Sequence, residues 1–105
     1  MTMTARTPLP QRRRSETFDI EHGGQRLKYS VTIGYYGGPG ALPGEVFVSG
    51  SKSGSDAEAN ARDAAVILSI ALQYGVPLET IKHALTREAD GSPSTIIGAV
   101  VDRLA

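Results

Sequence analysis

Two stretches of alternating apolar and polar residues, joined by glycines, constrain this chain more than any other feature of its sequence. Phe18 and Ile20 alternate with acidic residues, and a second stretch alternates in the same way over residues 27–35. A period of two places every second side chain on one face of a strand. Gly23 and Gly24 lie between the stretches, and glycine tolerates the positive φ angles of a tight turn. The pattern predicts a two-glycine β-hairpin with one buried face.

The chain continues with a third strand and then a long helix. Residues 37–44 are rich in glycine and proline and form a predicted loop, which is followed by a strand over residues 45–49. Ser55, with Glu58 three residues later, is a capping-box pattern that marks a helix start. We predict a helix over residues 56–74, which Gly75 and Pro77 end.

Two shorter helices are predicted after the long one. Pro77 suits the first position of a helix whose apolar residues recur at helical spacing, namely Leu78, Ile81, Ala84 and Leu85. Ser92 and Pro93 repeat the cap-plus-proline pattern before a third helix. Because the strands precede the helices without alternation, the predicted class is α+β: a three-stranded antiparallel sheet followed by one long and two short helices packed on one face.

The long helix is apolar on most of its circumference from Ala64 onward. A three-stranded sheet can cover only one side of such a helix, so the other side is expected to meet a further helix or a second copy of the chain. We therefore expect a homodimer.

The charges of the chain are unevenly distributed, although the formal net charge is zero. The arginines at positions 6, 12, 13 and 14 precede the first acidic residue, Glu16. We predict a disordered basic arm at residues 1–15 and one folded, mildly acidic domain at residues 16–105. Four arginines release too few counterions for tight binding to nucleic acid, so nucleic acid is not an expected partner.

The sequence also limits location and chemistry. No apolar stretch approaches the ~20 residues of a membrane span, and the N-terminus lacks a secretory signal, so we expect no membrane contact and a cytoplasmic protein. The chain has no cysteine, which excludes disulfides, thiolate metal sites and thiol nucleophiles. His22 and His83 have no nearby ligand spacing, and no serine-nucleophile elbow is present. We expect neither catalytic residues nor a metal site.

The turn before the long helix is a candidate anion site. A helix start exposes backbone N–H groups and a partial positive charge, and a lysine side chain adds a full charge. The candidate residues are Gly50, Lys52, Ser53, Gly54 and Ser55. The spacing does not match the phosphate-binding loop of nucleoside triphosphatases. The alternative interpretation is a turn stabilised by its own caps.

A second candidate is a polar face on the long helix. Asp56, Asn60 and Asp63 recur at intervals of four and three, which places them on one side of a helix. They form either a polar site or the solvated edge of a buried helix.

A resemblance extends over residues 16–104. The segments that carry it are residues 44–48, Gly50, Lys52, Gly54, Ser55, 61–65, 69–79 and 84–86. These segments resemble the TSCPD domain, a family that includes the C-terminal segment of adenosylcobalamin-dependent (class II) ribonucleotide reductases. The family's Thr-Ser-Cys-Pro-Asp motif should precede the last helix. Here the nearest stretch, residues 91–94, lacks both the cysteine and the aspartate.

The resemblance implies a relation to ribonucleotide reduction without the chemistry. Such reductases use cysteines to carry the radical and the electrons, together with a barrel-sized catalytic domain, and this sequence has neither. We therefore expect no reductase activity from the chain alone and no adenosylcobalamin cofactor. The leading hypothesis is a non-catalytic accessory, regulatory or protein-interaction module, with a reductase or another protein as partner. The alternatives are a small nucleotide- or phosphate-binding regulatory domain and, less well supported, nucleic-acid binding through the arginine arm.

Overall fold

Three strands precede three helices in the computed structural model, which describes residues 5–38, 40–50 and 54–105. The elements are β1 (Ser15–His22), β2 (Leu27–Tyr35), β3 (Pro43–Gly50), α1 (Asp56–Gln73), α2 (Leu78–Ala84) and α3 (Ile96–Leu104). The strands form one antiparallel sheet in the order β1-β2-β3. The α+β prediction is confirmed.

The core lies between one face of the sheet and the helices. The alternating residues of β2 supply the sheet side of this core, since Tyr29, Val31, Ile33 and Tyr35 are all buried. Leu68 and Leu72 of α1 are buried with them, as are Val100 and Val101 of α3, and all belong to one apolar cluster. The period of two therefore identified the buried face correctly.

The β1–β2 connection differs in detail from the predicted two-glycine turn. It contains four residues, and positive φ angles occur at Gly23 (89°) and Arg26 (50°) rather than at both glycines. Arg26 N–H donates to the carbonyl of Gly23 at 2.9 Å, and its guanidinium donates to Glu21 at 3.1 Å. These two contacts accompany the positive φ angle of Arg26. The second left-handed position of the loop is therefore Arg26 and not Gly24, as the two-glycine turn had predicted.

The helix caps agree with the sequence at one helix and disagree at another. The predicted cap of α1 is confirmed, because Ser55 Oγ accepts from Glu58 N–H at 3.1 Å. The predicted Ser92 cap of α3 is wrong. Thr95 caps that helix by accepting from Gly98 N–H at 3.0 Å, whereas Ser92 donates through both N–H and Oγ to Asp90.

Helix α1 runs along the outer edge of β3 and binds its backbone. Ser69 Oγ accepts from Val46 N–H at 2.8 Å and lies 3.2 Å from the carbonyl oxygen of the same residue. Gln73 Nε2 donates to the carbonyl of Gly44 at 2.8 Å. Side chains of a helix thus occupy hydrogen-bonding positions that a fourth strand would otherwise take.

The segment that the sequence assigns to a disordered arm has several partners in the structure. Strand β1 begins at Ser15, and Tyr35 N–H donates to the carbonyl of Arg14 at 3.0 Å. Thr7 N–H donates to the carbonyl of Gln73 at 2.9 Å, and the Arg13 guanidinium pairs with Glu45. These contacts join the N-terminal segment to β2, β3 and α1.

None of the helices in the described part of the chain is long and apolar enough to cross a membrane.

Candidate functional site

The candidate anion site lies where β3 leads into α1. Lys52 and Ser53 are outside the described residues, so the structure places only Gly50, Gly54 and Ser55 of this set. The carboxylate of Glu58 accepts from Gly50 N–H at 3.2 Å and from Gly54 N–H at 3.0 Å. Glu58 is buried, although it lies in the first turn of α1. A carboxylate of the chain itself therefore occupies the position that the sequence suggests for an anion.

The candidate polar face consists of exposed side chains. Asp56, Asn60 and Asp63 lie on α1 as the spacing predicts, and all three are solvent-exposed. In the described residues, no group of three or more histidine, aspartate or glutamate side chains is placed to hold a metal ion.

A groove that the sequence analysis did not identify lies between β3 and α1. This β3–α1 groove has a volume of about 660 Å3 and is lined on one side by Phe47 and on the other by Val66 and Ile70. These three apolar side chains are exposed to 59%, 56% and 39%. Burial of large apolar side chains is favourable, so a contiguous exposed group of them is typical of an interaction surface.

Arginines stand toward both ends of the β3–α1 groove. Arg6 Nε donates to Gln73 Oε1 at 2.5 Å at one end. Arg62 lines the other end and forms no ion pair among the described residues. Arg62 and Gln73 are separated by eleven residues of helix, or about 16 Å along its axis. The groove thus combines an apolar centre with an arginine near each end, and Glu45, which pairs with Arg13, also lines it.

The sequence contained one signal for this surface. Val46 and Val48 are buried, while Phe47 between them is exposed on the opposite face of the sheet. A large aromatic residue out of phase with the buried positions of a strand is a reason to expect an interaction surface. Arg6, by contrast, was assigned to the arm, and nothing local predicts its contact with Gln73.

Three of the four arm arginines contact the domain, and their electrostatic effects are local. Arg6 donates to Gln73 and Arg13 pairs with Glu45. The guanidinium of Arg14 lies 4.2 Å from the ring centre of Tyr35. The hydrogen bond with Glu45 raises the pKa of Arg13. Burial, and then the hydrogen bond to Glu16, raises the pKa of the Tyr35 phenol.

A bidentate ion pair connects the segment after α2 with α3. The guanidinium of Arg87 donates to both oxygens of Asp102 at 3.0 and 2.5 Å. This hydrogen bonding lowers the pKa of Asp102. The pair ties the polar connection between the last two helices to the domain.

Comparisons with known proteins agree with the resemblance seen in the sequence. The family model described as the TSCPD domain matches residues 3–105. A vitamin B12-dependent ribonucleotide reductase of Rhodopirellula baltica is 37% identical over 107 residues, which cover 95% of this chain and 10% of that protein. The chain thus spans about a tenth of the relative that it matches. No solved structure matches it.

Proposed function

Because the chain belongs to the TSCPD domain family, we propose that it is a non-catalytic module that binds a protein partner, and that this partner is a ribonucleotide reductase. The family and the relative support the connection with reductases. The match covers a tenth of that reductase, and an accessory role is the function that we assign to this segment. The observation that carries the proposal is the exposed β3–α1 groove.

Chemistry supports a non-catalytic role. Reduction through thiols needs cysteine, and this sequence has none. The β3–α1 groove is open along one side and, at about 660 Å3, is too small to enclose a corrinoid cofactor. We derive no chemical step through adenosylcobalamin for this chain.

The groove defines the chemistry of the segment that it binds. Phe47, Val66 and Ile70 supply apolar contact area, and Arg6 and Arg62 favour carboxylates at the ends. The expected ligand is a short segment of the partner with apolar side chains in its centre and acidic residues on either side. Such a segment buries the exposed phenyl ring and pairs with the arginines.

The test is a binding measurement with a B12-dependent reductase as the immobilised partner. We expect the wild-type chain to bind, and Phe47→Ser to weaken binding at least tenfold because it removes the largest apolar contact. Leu42→Ser is the matched control, since Leu42 is 69% exposed and lies outside the groove. Equal loss in the two variants, or no binding by the wild-type chain, would reject the proposal.

A second candidate function is nucleotide or phosphate binding at residues 50–55. It rests on the N–H groups of Gly50 and Gly54, which converge on the single carboxylate of Glu58, so an anion has to displace this carboxylate in order to bind. A phosphate bound there replaces this carboxylate and gains the charge of Lys52.

Titration with phosphate, ADP and ATP tests this second candidate by following the amide resonances of residues 50–58. Binding should shift these resonances, and Lys52→Glu should weaken it at least about tenfold, since a charge-assisted contact contributes on the order of 1.5–3 kcal/mol. If the amides do not respond at millimolar ligand, the turn is only a helix cap.

A further inference from the structure

A cavity that shares no residue with the β3–α1 groove lies where β1, the loop before β3, the start of α2 and the end of α3 meet. This β1–α3 cavity has a volume of about 310 Å3, and two side chains of opposite charge, Glu16 and Arg103, line it. The rest of its wall is mostly apolar and includes Phe18, Leu42, Pro43, Leu78 and Leu104. We propose that the cavity binds a small zwitterion, namely an α-amino acid with an apolar side chain.

Arg103 supplies the binding group for the carboxylate of such a ligand. Its guanidinium lies 3.9 Å from the ring centre of Phe18. Arg13 and Arg87 each pair with a carboxylate, whereas Arg103 forms no ion pair within the described part of the chain. A ring that covers the face of a guanidinium leaves the N–H donors at its edges accessible, and these donors form paired hydrogen bonds with a carboxylate.

Glu16 supplies the acceptor for the ammonium group. The phenol of Tyr35, a buried residue, donates to Glu16 Oε1. Among the described residues, no side chain donates to the second carboxylate oxygen, Oε2, and Glu16 forms no ion pair with Arg103 although both line the cavity. The bond from Tyr35 therefore orients the carboxylate and leaves one oxygen for a ligand.

The two opposite charges favour a ligand that carries both. A simple anion would meet the negative charge of Glu16, and a simple cation would meet the guanidinium of Arg103, so each would gain one favourable and one unfavourable contact. An α-amino acid presents a carboxylate and an ammonium group together. Arg14, whose guanidinium lies over the ring of Tyr35, does not line the cavity and so does not change this balance at its wall.

The size and the apolar wall of the cavity define the rest of the ligand. A volume of about 310 Å3 is at the lower end of the range for small-molecule pockets, which suits an amino acid better than a segment of a folded partner. Leu42 is 69% exposed at the cavity, and Leu78 and Leu104 are half-buried. An aliphatic side chain on the ligand would bury part of this apolar surface, which is favourable.

The first experiment titrates the chain with L-leucine and follows the methyl resonances of Leu42, Leu78 and Leu104 by NMR. We expect saturable shifts with a Kd of about 1 mM or below. Isocaproate, which is leucine without its amino group, and isoamylamine, which lacks the carboxylate, should each bind at least about tenfold more weakly. Absence of saturable shifts, shifts confined to methyl groups elsewhere, or equal affinity for the three compounds overturns the proposal.

The second experiment separates the two charges by substitution. Arg103→Met removes the cation but keeps a long side chain over Phe18, and it should weaken leucine binding at least about tenfold. Glu16→Gln should also weaken leucine binding, but it should strengthen the binding of isocaproate because it removes a repulsive charge. A variant that is merely less stable would not show this opposite response to the two compounds.

Glu21→Gln is the matched control, since this exposed acidic residue lies on the same strand but does not line the cavity. Its affinity for leucine should equal that of the wild-type chain. Equal changes in the Glu16 and Glu21 variants overturn the proposal. The reductase-binding test is independent of both experiments, because Phe47 lies in the β3–α1 groove and not in this cavity.

Discussion

The two edges of the sheet are protected in different ways. At the edge of β3, Ser69 and Gln73 of α1 form hydrogen bonds with Val46 and Gly44, and the carboxylate of Glu58 accepts from Gly50 N–H. At the edge of β1, no further strand from the described part of the chain pairs with the backbone, and β1 carries exposed acidic side chains at positions 16, 19 and 21. A covered edge contributes to the stability of the domain, whereas a charged edge mainly prevents association with other chains.

The comparison changes the interpretation of the polar residues on α1. Glu58, Ser69 and Gln73 lie at intervals of eleven and four, which place them on one side of the helix. Polar residues on the side of a helix that packs against the domain are candidates for a binding site. Here their partners are the backbone groups of β3, so we expect their replacement to lower stability before it affects any ligand.

The largest effect is expected from removing residues 1–14, because the deletion removes all arm contacts with the covered edge at once. Leu9 packs where a Cβ at Gly44 would lie, and Glu45 loses the guanidinium of Arg13. We expect a fall in Tm, measured by circular dichroism, that exceeds the fall caused by any single substitution below. Arg12→Ala is the control, because this arginine has no partner among the described residues. An unchanged Tm would support the disordered arm that the sequence predicts.

Replacing Glu58 should have the next largest effect. Glu58→Ala removes the acceptor of two backbone N–H groups in a buried position, and we expect a loss of about 2–3 kcal/mol in the free energy of unfolding by urea. Glu79→Ala is the control, since this acidic residue also lies in the first turn of a helix but is exposed. A change below about 0.5 kcal/mol in both variants would show that the turn does not depend on the carboxylate.

Ser69→Ala should cost about 1–2 kcal/mol, because it leaves the N–H group of Val46 without its acceptor at a part-buried position. Ser49→Ala on the exposed face of β3 serves as the comparison and should change stability by less than about 0.5 kcal/mol. Amide hydrogen exchange at Val46 gives a direct readout, since it should accelerate in the Ser69 variant only. Equal exchange at Val46 in both variants would show that Ser69 of α1 does not protect the edge of β3.

The smallest effect on stability is expected at the charged edge. The double variant Asp19→Thr, Glu21→Thr removes two exposed ion pairs, with Lys28 and Arg26, which contribute little to folding. It should instead promote association along β1, seen as larger species by light scattering. The variant Arg26→Thr, Lys28→Thr removes the same ion pairs but keeps the acidic edge, and it should not associate. Association of both variants would mean that the acids do not protect the edge.

Local features of the fold were predictable from the sequence, and contacts between distant segments were not. The hairpin strands and the Ser55 cap follow from residues within a few positions of each other, which alternation and the capping box capture. The α3 cap was misassigned because Ser92 and Thr95 both offer a hydroxyl in the right region, and only the hydrogen bonds of Ser92 to Asp90 separate them.

The candidate site illustrates the same limit. The β3–α1 groove joins residues from the N-terminal segment, β3 and α1, and no local pattern brings Arg6 to Gln73 across 67 positions. The sequence did predict the location of Asp56, Asn60 and Asp63 on one helix face, because helical spacing is local. It could not show that Glu58 would satisfy the loop N–H groups, since this depends on how closely α1 approaches β3.

The attachment of α1 to β3 at three points has a consequence for how this domain can vary in length. From Glu58 to Gln73 the helix advances about 22 Å, and from Gly50 to Gly44 the strand returns about 20 Å. The helix and the strand therefore cover nearly the same distance between their first and last contacts, and the hydrogen bond between Ser69 and Val46 lies between those two. Inserting or deleting one residue in either element would shift every later contact out of alignment. Natural length changes should consequently accumulate in the loop before β3 or in the connection between α2 and α3.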